Sequence, residues 1–277
     1  MTPAMACELR RKFVILTQTR VARRQPVPKR RPARGVNYLL QSLPGSDSRS
    51  VLAGCERVDL TQGDVLYTPG QRLRDVYFPV DGSISLMMTV DGRSSLEVAL
   101  IGNEGMFGVQ LILGVGVSPL RAVVQGAGSA LRMESGRFRH ELGRSEALNR
   151  EIGRYVCFLL AQLAQTSACT RFHVVEARLA RWLLMTQDRA RDDTFHVTQE
   201  ALASMLGVRR VGITKAAGSL QNRDLIRYSR GNITILDRQG LKASSCGCYR
   251  ADRQSYDRLL GYPASALTLA EKGRAYV

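Results

Sequence analysis

Thr198-Gln-Glu-Ala-Leu-Ala-Ser-Met-Leu-Gly-Val-Arg-Arg-Val-Gly-Ile-Thr-Lys-Ala-Ala-Gly-Ser-Leu220 is the stretch on which the reading of this chain turns. Thr198 is a good N-cap, and Leu202, Met205 and Leu206 fall on one face of the helix it would start. Gly207 can take the positive φ of a tight turn. Ile213, Ala216, Ala217 and Leu220 then form a second apolar stripe, so the spacing predicts a helix-turn-helix. Its other face carries Arg210, Val211, Thr214 and Lys215. Arg can span the two major-groove acceptors of guanine, and Lys and Thr reach base edges or phosphates. An ordinary helical hairpin with a solvated basic face is the alternative.

Downstream, Leu225 to Asp237 reads as strand, turn at Gly231-Asn232, and strand. A β-wing there places Arg227 and Arg230 to meet phosphate. Charge agrees with this: of the net +16, residues 1–34 carry +9, residues 35–170 carry −1 and residues 171–277 carry +8. A cationic C-terminal part is the footprint of a surface that neutralises phosphates.

Working back, Val174 to Asp188 is an amphipathic helix with Trp182 on its apolar side. Ser145 to Thr170 is a longer one, with Leu148, Ile152, Tyr155, Leu159, Leu163 and Thr166 at spacings close to a coiled-coil seam. Two copies could pair along that stripe, or it packs on its own domain. From Val51 to Glu134, turn signals at Gly63, Pro69-Gly70, Asp81-Gly82, Asp91-Gly92 and beyond separate short β-type runs. These argue for an antiparallel sandwich or roll, with Ile84, Leu86, Met88 and Val90 on one strand face. The first 37 residues read as a disordered basic arm, either adding non-specific DNA affinity or a dispensable extension from an upstream start.

No run approaches the roughly 18 apolar residues of a membrane helix, which points to a cytoplasmic protein with no membrane partner. Six scattered cysteines predict reduced thiols. With only His140, His173 and His196, no nucleophile–base pattern and no P-loop lysine in the glycine-rich 102–108 segment, an enzyme is not expected.

The order roll, long helix, winged helix-turn-helix resembles the Crp/Fnr family of bacterial transcription regulators over about 38–260. The most specific stretches are Gly63-Asp-Val-Leu-Tyr-Thr-Pro-Gly70, Val76-Tyr-Phe-Pro-Val-Asp-Gly82 and Arg178-Leu-Ala-Arg-Trp-Leu-Leu184, with Gln199 to Arg210 and Leu225-Ile-Arg. The resemblance implies an α+β chain: an N-terminal antiparallel β-roll of cyclic-nucleotide-binding type (38–144), a dimerisation helix (145–172) and a winged helix-turn-helix (173–260), followed by a tail (261–277). It implies a homodimer on a palindromic double-stranded DNA site, with RNA polymerase as a further partner of an activator. Groove contacts fall on Arg209, Arg210, Val211 and Lys215, with Thr198 near phosphate. Arg210 matches the family's guanine reader, and Val211 replaces the acidic residue of cyclic-AMP-responsive members. A sensor or scaffold using the helix pair for protein contacts is the rival.

The family's nucleotide pocket is degenerate here. In Gly105-Met-Phe-Gly-Val-Gln110, Phe107 and Gly108 are kept, but Val109 replaces the carboxylate that holds the ribose. Leu120-Arg121 stands one position off the Arg-Ser pair, and Leu163 and Ala164 stand at the hydroxyl positions. The expectation is no cyclic AMP by the usual pocket. An iron–sulfur arrangement is not expected either, because only Cys7 and Cys55 precede the long helix. Finally, Cys169 and His173 at i, i+4 and Cys246-Gly-Cys248 could make a four-ligand metal site or thiol switch if the two segments meet. The alternative is buried small cysteines and a hinge histidine.

Overall fold

The computed structural model describes residues 36–261 apart from positions 93 and 191. The expected arm and tail fall outside these residues, except for Val36, Asn37 and Gly261. Asn37 is buried and caps the first helix, and its Nδ2 donates to the carbonyls of Pro79 (2.9 Å) and Gly105 (2.8 Å). The described chain therefore starts pinned to the roll, by a residue at the end of the expected arm.

Helices α1 (Tyr38–Gln41) and α2 (Gly45–Ala53) lead into strands β1 (Glu56–Leu60), β2 (Val65–Tyr67), β3 (Asp75–Val90), β4 (Ser94–Ile101) and, after a 3-10 turn at Val109–Leu113, β5 (Arg121–Glu134). All pairings are antiparallel, in the order β1-β5-β3-β4 with β2 also on β5. Asp81-Gly82, expected as a turn between strands, is instead a bend inside β3. Gly82 sits at φ +92, and a Cβ there would stand 2.5 Å from the Gly126 carbonyl oxygen; one at Gly128 would collide with the Asp81 carbonyl. Only glycines let β3 and β5 cross so closely while both bend.

The expected alternation in β3 also fails beyond Leu86. Ser83, Ser85 and Met87 on the other face are buried as well, whereas Met88 (44 %), Thr89 and Val90 (52 %) are all exposed. The strand is covered on both faces as far as Met87 and then runs out past the core, so burial here follows what packs on each face and not the alternation.

Helices α3 (Ser135–Arg144) and α4 (Glu146–Phe172) follow, the latter capped by the Ser145 hydroxyl accepting from Leu148 N–H at 3.0 Å. Leu148, Ile152, Tyr155 and Leu159, read as a dimer seam, are buried in the roll core with Phe78, Met106 and Phe138. They are not available to a second copy, because the open face of the roll is itself apolar and takes the largest stripe on the helix. Leu163 packs against that core half-buried, and Thr166 lies beside it.

The remainder comprises α5 (Val175–Ala190), β6 (Thr194–His196), α6 (Gln199–Leu206), α7 (Arg210–Asn222), β7 (Ile226–Ser229), β8 (Asn232–Ile235), α8 (Arg238–Ser244) and α9 (Cys248–Leu260). Their core joins Trp182, Leu202, Ile213 and Leu220 with Leu100 of β4, so this part is packed directly on the roll. Helix α9 turns back along α4: Tyr256 and Leu260 enter the roll core, and the Tyr256 ring stands edge-on to Phe158 at 5.8 Å. Nothing in the sequence signalled that return.

Candidate nucleic-acid interface and sensor cavity

Gly207 takes the left-handed conformation at φ 61, ψ 42, closing α6, and Val208 N–H bonds back to the Ala203 carbonyl at 2.9 Å. Helix α7 then buries Ile213, Ala216, Ala217 and Leu220. The same helical period leaves Arg209, Arg210, Val211, Thr214 and Lys215 exposed. Thr198 caps α6 by accepting from Ala201 N–H at 3.1 Å, which leaves its own O–H to donate. Thr214 Oγ1 donates to Gln199 Oε1 at 2.8 Å and ties the two helices at that end.

The wing turn lies one residue earlier than Gly231-Asn232. Arg230 (φ 50) and Gly231 (φ 80) form the two-residue loop, and Asn232 pairs with Ser229. Two successive positive φ values match the type I′ turn that suits strand twist. Thr198, Gln199, Arg210, Tyr228, Arg230 and Gly231 together line one open concavity of ≈ 330 Å³. Tyr228 faces this hollow, so Arg227, its neighbour on β7, points to the opposite side. Tyr228, whose hydroxyl donates to the Val197 carbonyl at 2.8 Å, and β6, a third strand on the wing, were not signalled by the sequence. Tyr228 could have been found by its alternation with Arg227.

In the roll, a cavity of ≈ 180 Å³ is bounded by the Met106–Gln110 turn, Ser118–Leu120 and the α4 residues Val156, Leu159, Leu160 and Leu163. Five residues expected at the effector pocket line it: Phe107, Gly108, Val109, Leu120 and Leu163. Arg121 and Ala164 do not; both are exposed. Gln110 and Ser118 are its polar side chains, and the Ser118 hydroxyl already donates to the Leu120 carbonyl at 2.6 Å. Among the described residues no cation lines it.

Where roll and α5 meet, Glu97 accepts from Trp182 Nε1 at 3.0 Å and hydrogen-bonds Ser85. Burial pushes its carboxyl up to about 7. Nearby, Glu104 and Arg189 form a buried ion pair at 2.6 Å.

The four candidate metal ligands do meet. The ligand atoms of Cys169, His173, Cys246 and Cys248 all lie within 4.8 Å of one another. The Cys169 and Cys246 sulfurs are 3.5 Å apart, as are Cys248 Sγ and His173 Nδ1, and Gln165 Nε2 donates to Cys248 at 2.9 Å. The bond shared with Cys169 holds the Cys246 thiol down, near 5, and pushes Cys169 up. Among the described residues no helix is long and apolar enough to cross a membrane.

Comparison with known proteins adds to this geometry. Residues 57–145 match the cyclic nucleotide-binding domain, and residues 177–244 match the Crp-like helix-turn-helix domain. The CRP-like cAMP-activated global transcriptional regulator of Mycobacterium tuberculosis is 23% identical over 211 residues, 73% of this chain and 94% of that protein. FixK2 of Bradyrhizobium japonicum shares the fold with a TM-score of 0.59 at 14% identity, covering 69% of this chain and 98% of that one. The c-di-GMP responsive global regulator CLP of Xanthomonas campestris does so at 0.57 and 15%, covering 69% and 99%.

Proposed function

We propose, from the premise that this chain is a transcription regulator of the Crp/Fnr type, a cyclic nucleotide-binding domain joined to a Crp-like helix-turn-helix, that it acts as a homodimer on a palindromic DNA site without using cyclic AMP. The observation that carries the DNA reading is the exposed basic end of α7 beside the hollow that Arg210 shares with Arg230 and Thr198. Arg210 reads a base edge, with Arg209, Val211, Thr214 and Lys215 around it. Thr198, Gln199 and Arg230 take the flanking phosphate, and Arg227 touches backbone further along the wing.

The dimer seam lies on the solvent side of α4. Gly153, Cys157, Leu160, Ala164 and Ser167 recur at spacings of 4, 3, 4 and 3, and Leu160 is 59% exposed. Small residues on that line permit close helix approach, and two copies would set two α7 helices about one turn of DNA apart, roughly 34 Å. The lining of the roll cavity argues against a cyclic nucleotide: a phosphate there has no cation, and a ribose has no carboxylate. An activator of this kind would also contact RNA polymerase, in the cytoplasm; no reaction is assigned to it.

Binding to in-vitro-selected DNA, followed by fluorescence anisotropy across a salt series, tests the reading. Affinity should fall linearly in log–log form, and Arg210→Ala should cost about 1–3 kcal/mol of specific binding and relax one base position. An unchanged specific affinity in that variant overturns the assignment and favours a protein-contact role for the helix pair.

A further inference from the structure

We propose that Cys169, His173, Cys246 and Cys248 form a binding site for a thiophilic divalent metal ion of the zinc type, which clamps the end of α4 to the start of α9. The sequence brings two ligands from each of two segments. Cys169 and His173 stand one turn apart where α4 ends, and Cys246 and Cys248 flank Gly247 at the start of α9. A tetrahedral zinc ion with bonds of about 2.3 Å to sulfur and 2.0–2.1 Å to nitrogen requires its ligand atoms to stand roughly 3.5–3.8 Å apart. Two pairs are already at 3.5 Å, and none exceeds 4.8 Å.

Packing alone does not account for the group. The three sulfurs form a small cluster of their own with Ala177, separate from both larger cores, and a histidine and Gln165 are drawn into it. Charge points the same way. A divalent ion held by three thiolates and a neutral imidazole carries a net −1. Arg178 and Arg181 are buried and line the same small cavity as Cys169. Arg181 is paired with Asp252 at 2.7 Å, whereas Arg178 has no carboxylate partner among the described residues. A buried guanidinium without a counter-charge is costly, and the thiolate centre supplies one.

The site also has a route to the helix-turn-helix. Arg178 donates to the carbonyl of Leu206, the last residue of α6, immediately before the Gly207 turn. Loading the centre fixes the charge beside Arg178 and so the anchor of α6. His173 is exposed, which gives the ion and a chelator their entry.

The test uses the full chain purified in reductant without chelator, with metal content measured by plasma mass spectrometry and with Co²⁺ as a spectroscopic probe. The expected result is about one zinc ion per chain, thiolate-to-cobalt charge-transfer bands on substitution, and, against an exposed Cys157 that reacts from the start, three cluster thiols that react with a disulfide reagent only after the metal is removed. Cys246→Ser and His173→Gln should each weaken retention at least about tenfold, while Cys55→Ser, against the roll core and outside the cluster, leaves it unchanged. Because a buried cysteine variant can unfold, His173→Gln at the rim is the decisive one, with fold checked by circular dichroism. A folded, reduced wild-type chain that takes up neither Zn²⁺ nor Co²⁺, or metal retention indifferent to His173→Gln, overturns the proposal. The readout involves no DNA, so it stands or falls apart from the Arg210 assignment.

Discussion

Replacing Glu97 with Gln should abolish a loss of stability that the parent chain suffers as pH rises towards neutrality. Glu97 is buried on β4 between Ser85 and Trp182, with Arg189 and Arg181 as the charged groups that favour its ionised form. Burial outweighs them and lifts the carboxyl from 4.5 to about 7. Between those values the folded chain keeps a proton that the unfolded chain has released. This contribution to stability is therefore complete below pH 4.5, falls as pH rises to about 7 and is constant above. At 1.36 kcal/mol per pKa unit, the shift amounts to about 3 kcal/mol. Gln keeps the geometry, since its carbonyl accepts from Trp182 and its amide donates to Ser85. The two proteins should thus be equally stable near pH 4.5, and the variant should lead by up to about 3 kcal/mol at pH 8, the gap widening by about 1.4 kcal/mol per unit. Urea unfolding followed by the fluorescence of Trp182, the sole tryptophan and the neighbour of the altered group, measures this directly. Stability curves that run parallel from pH 4.5 to 8 would refute the reasoning.

Two further substitutions separate the faces of α4. Leu160→Glu should leave the unfolding transition of the monomer nearly unchanged and convert the sedimenting species from dimer to monomer. Ile152→Ala should instead cost about 2–5 kcal/mol through the cavity it leaves in the roll, as seen in denaturant unfolding. Isothermal titration with cyclic AMP should give no heat of binding at micromolar concentrations; saturable binding that is lost on Arg121→Ala would contradict the apolar reading of the cavity.

By itself the sequence determined the elements whose signals are local. The Thr198 cap, the left-handed Gly207 and the apolar spacings on α6 and α7 act within one or two helical turns, so the helix-turn-helix and its exposed Arg210 are legible from residue order alone. The wing was legible to within one residue, because a two-residue hairpin is encoded next to its own strands. Val109 and Leu163, placed at the pocket by the family pattern, both line the cavity. Tertiary structure decided what lies across a gap in sequence. Helix α4 carries two stripes of helical period, and nothing local says that Leu148, Ile152 and Tyr155 belong to the roll while Cys157, Leu160 and Ala164 face solvent. The bend at Gly82 depends on Gly126 and Gly128 in a strand more than forty residues away. The pairing of Cys169 with Cys246 depends on α9 folding back along α4, which rests on Tyr256 and Leu260 finding room in the core of the roll. Periodicity states which residues share a face; only packing states what covers that face, because burial is a property of the partner surface as much as of the stripe.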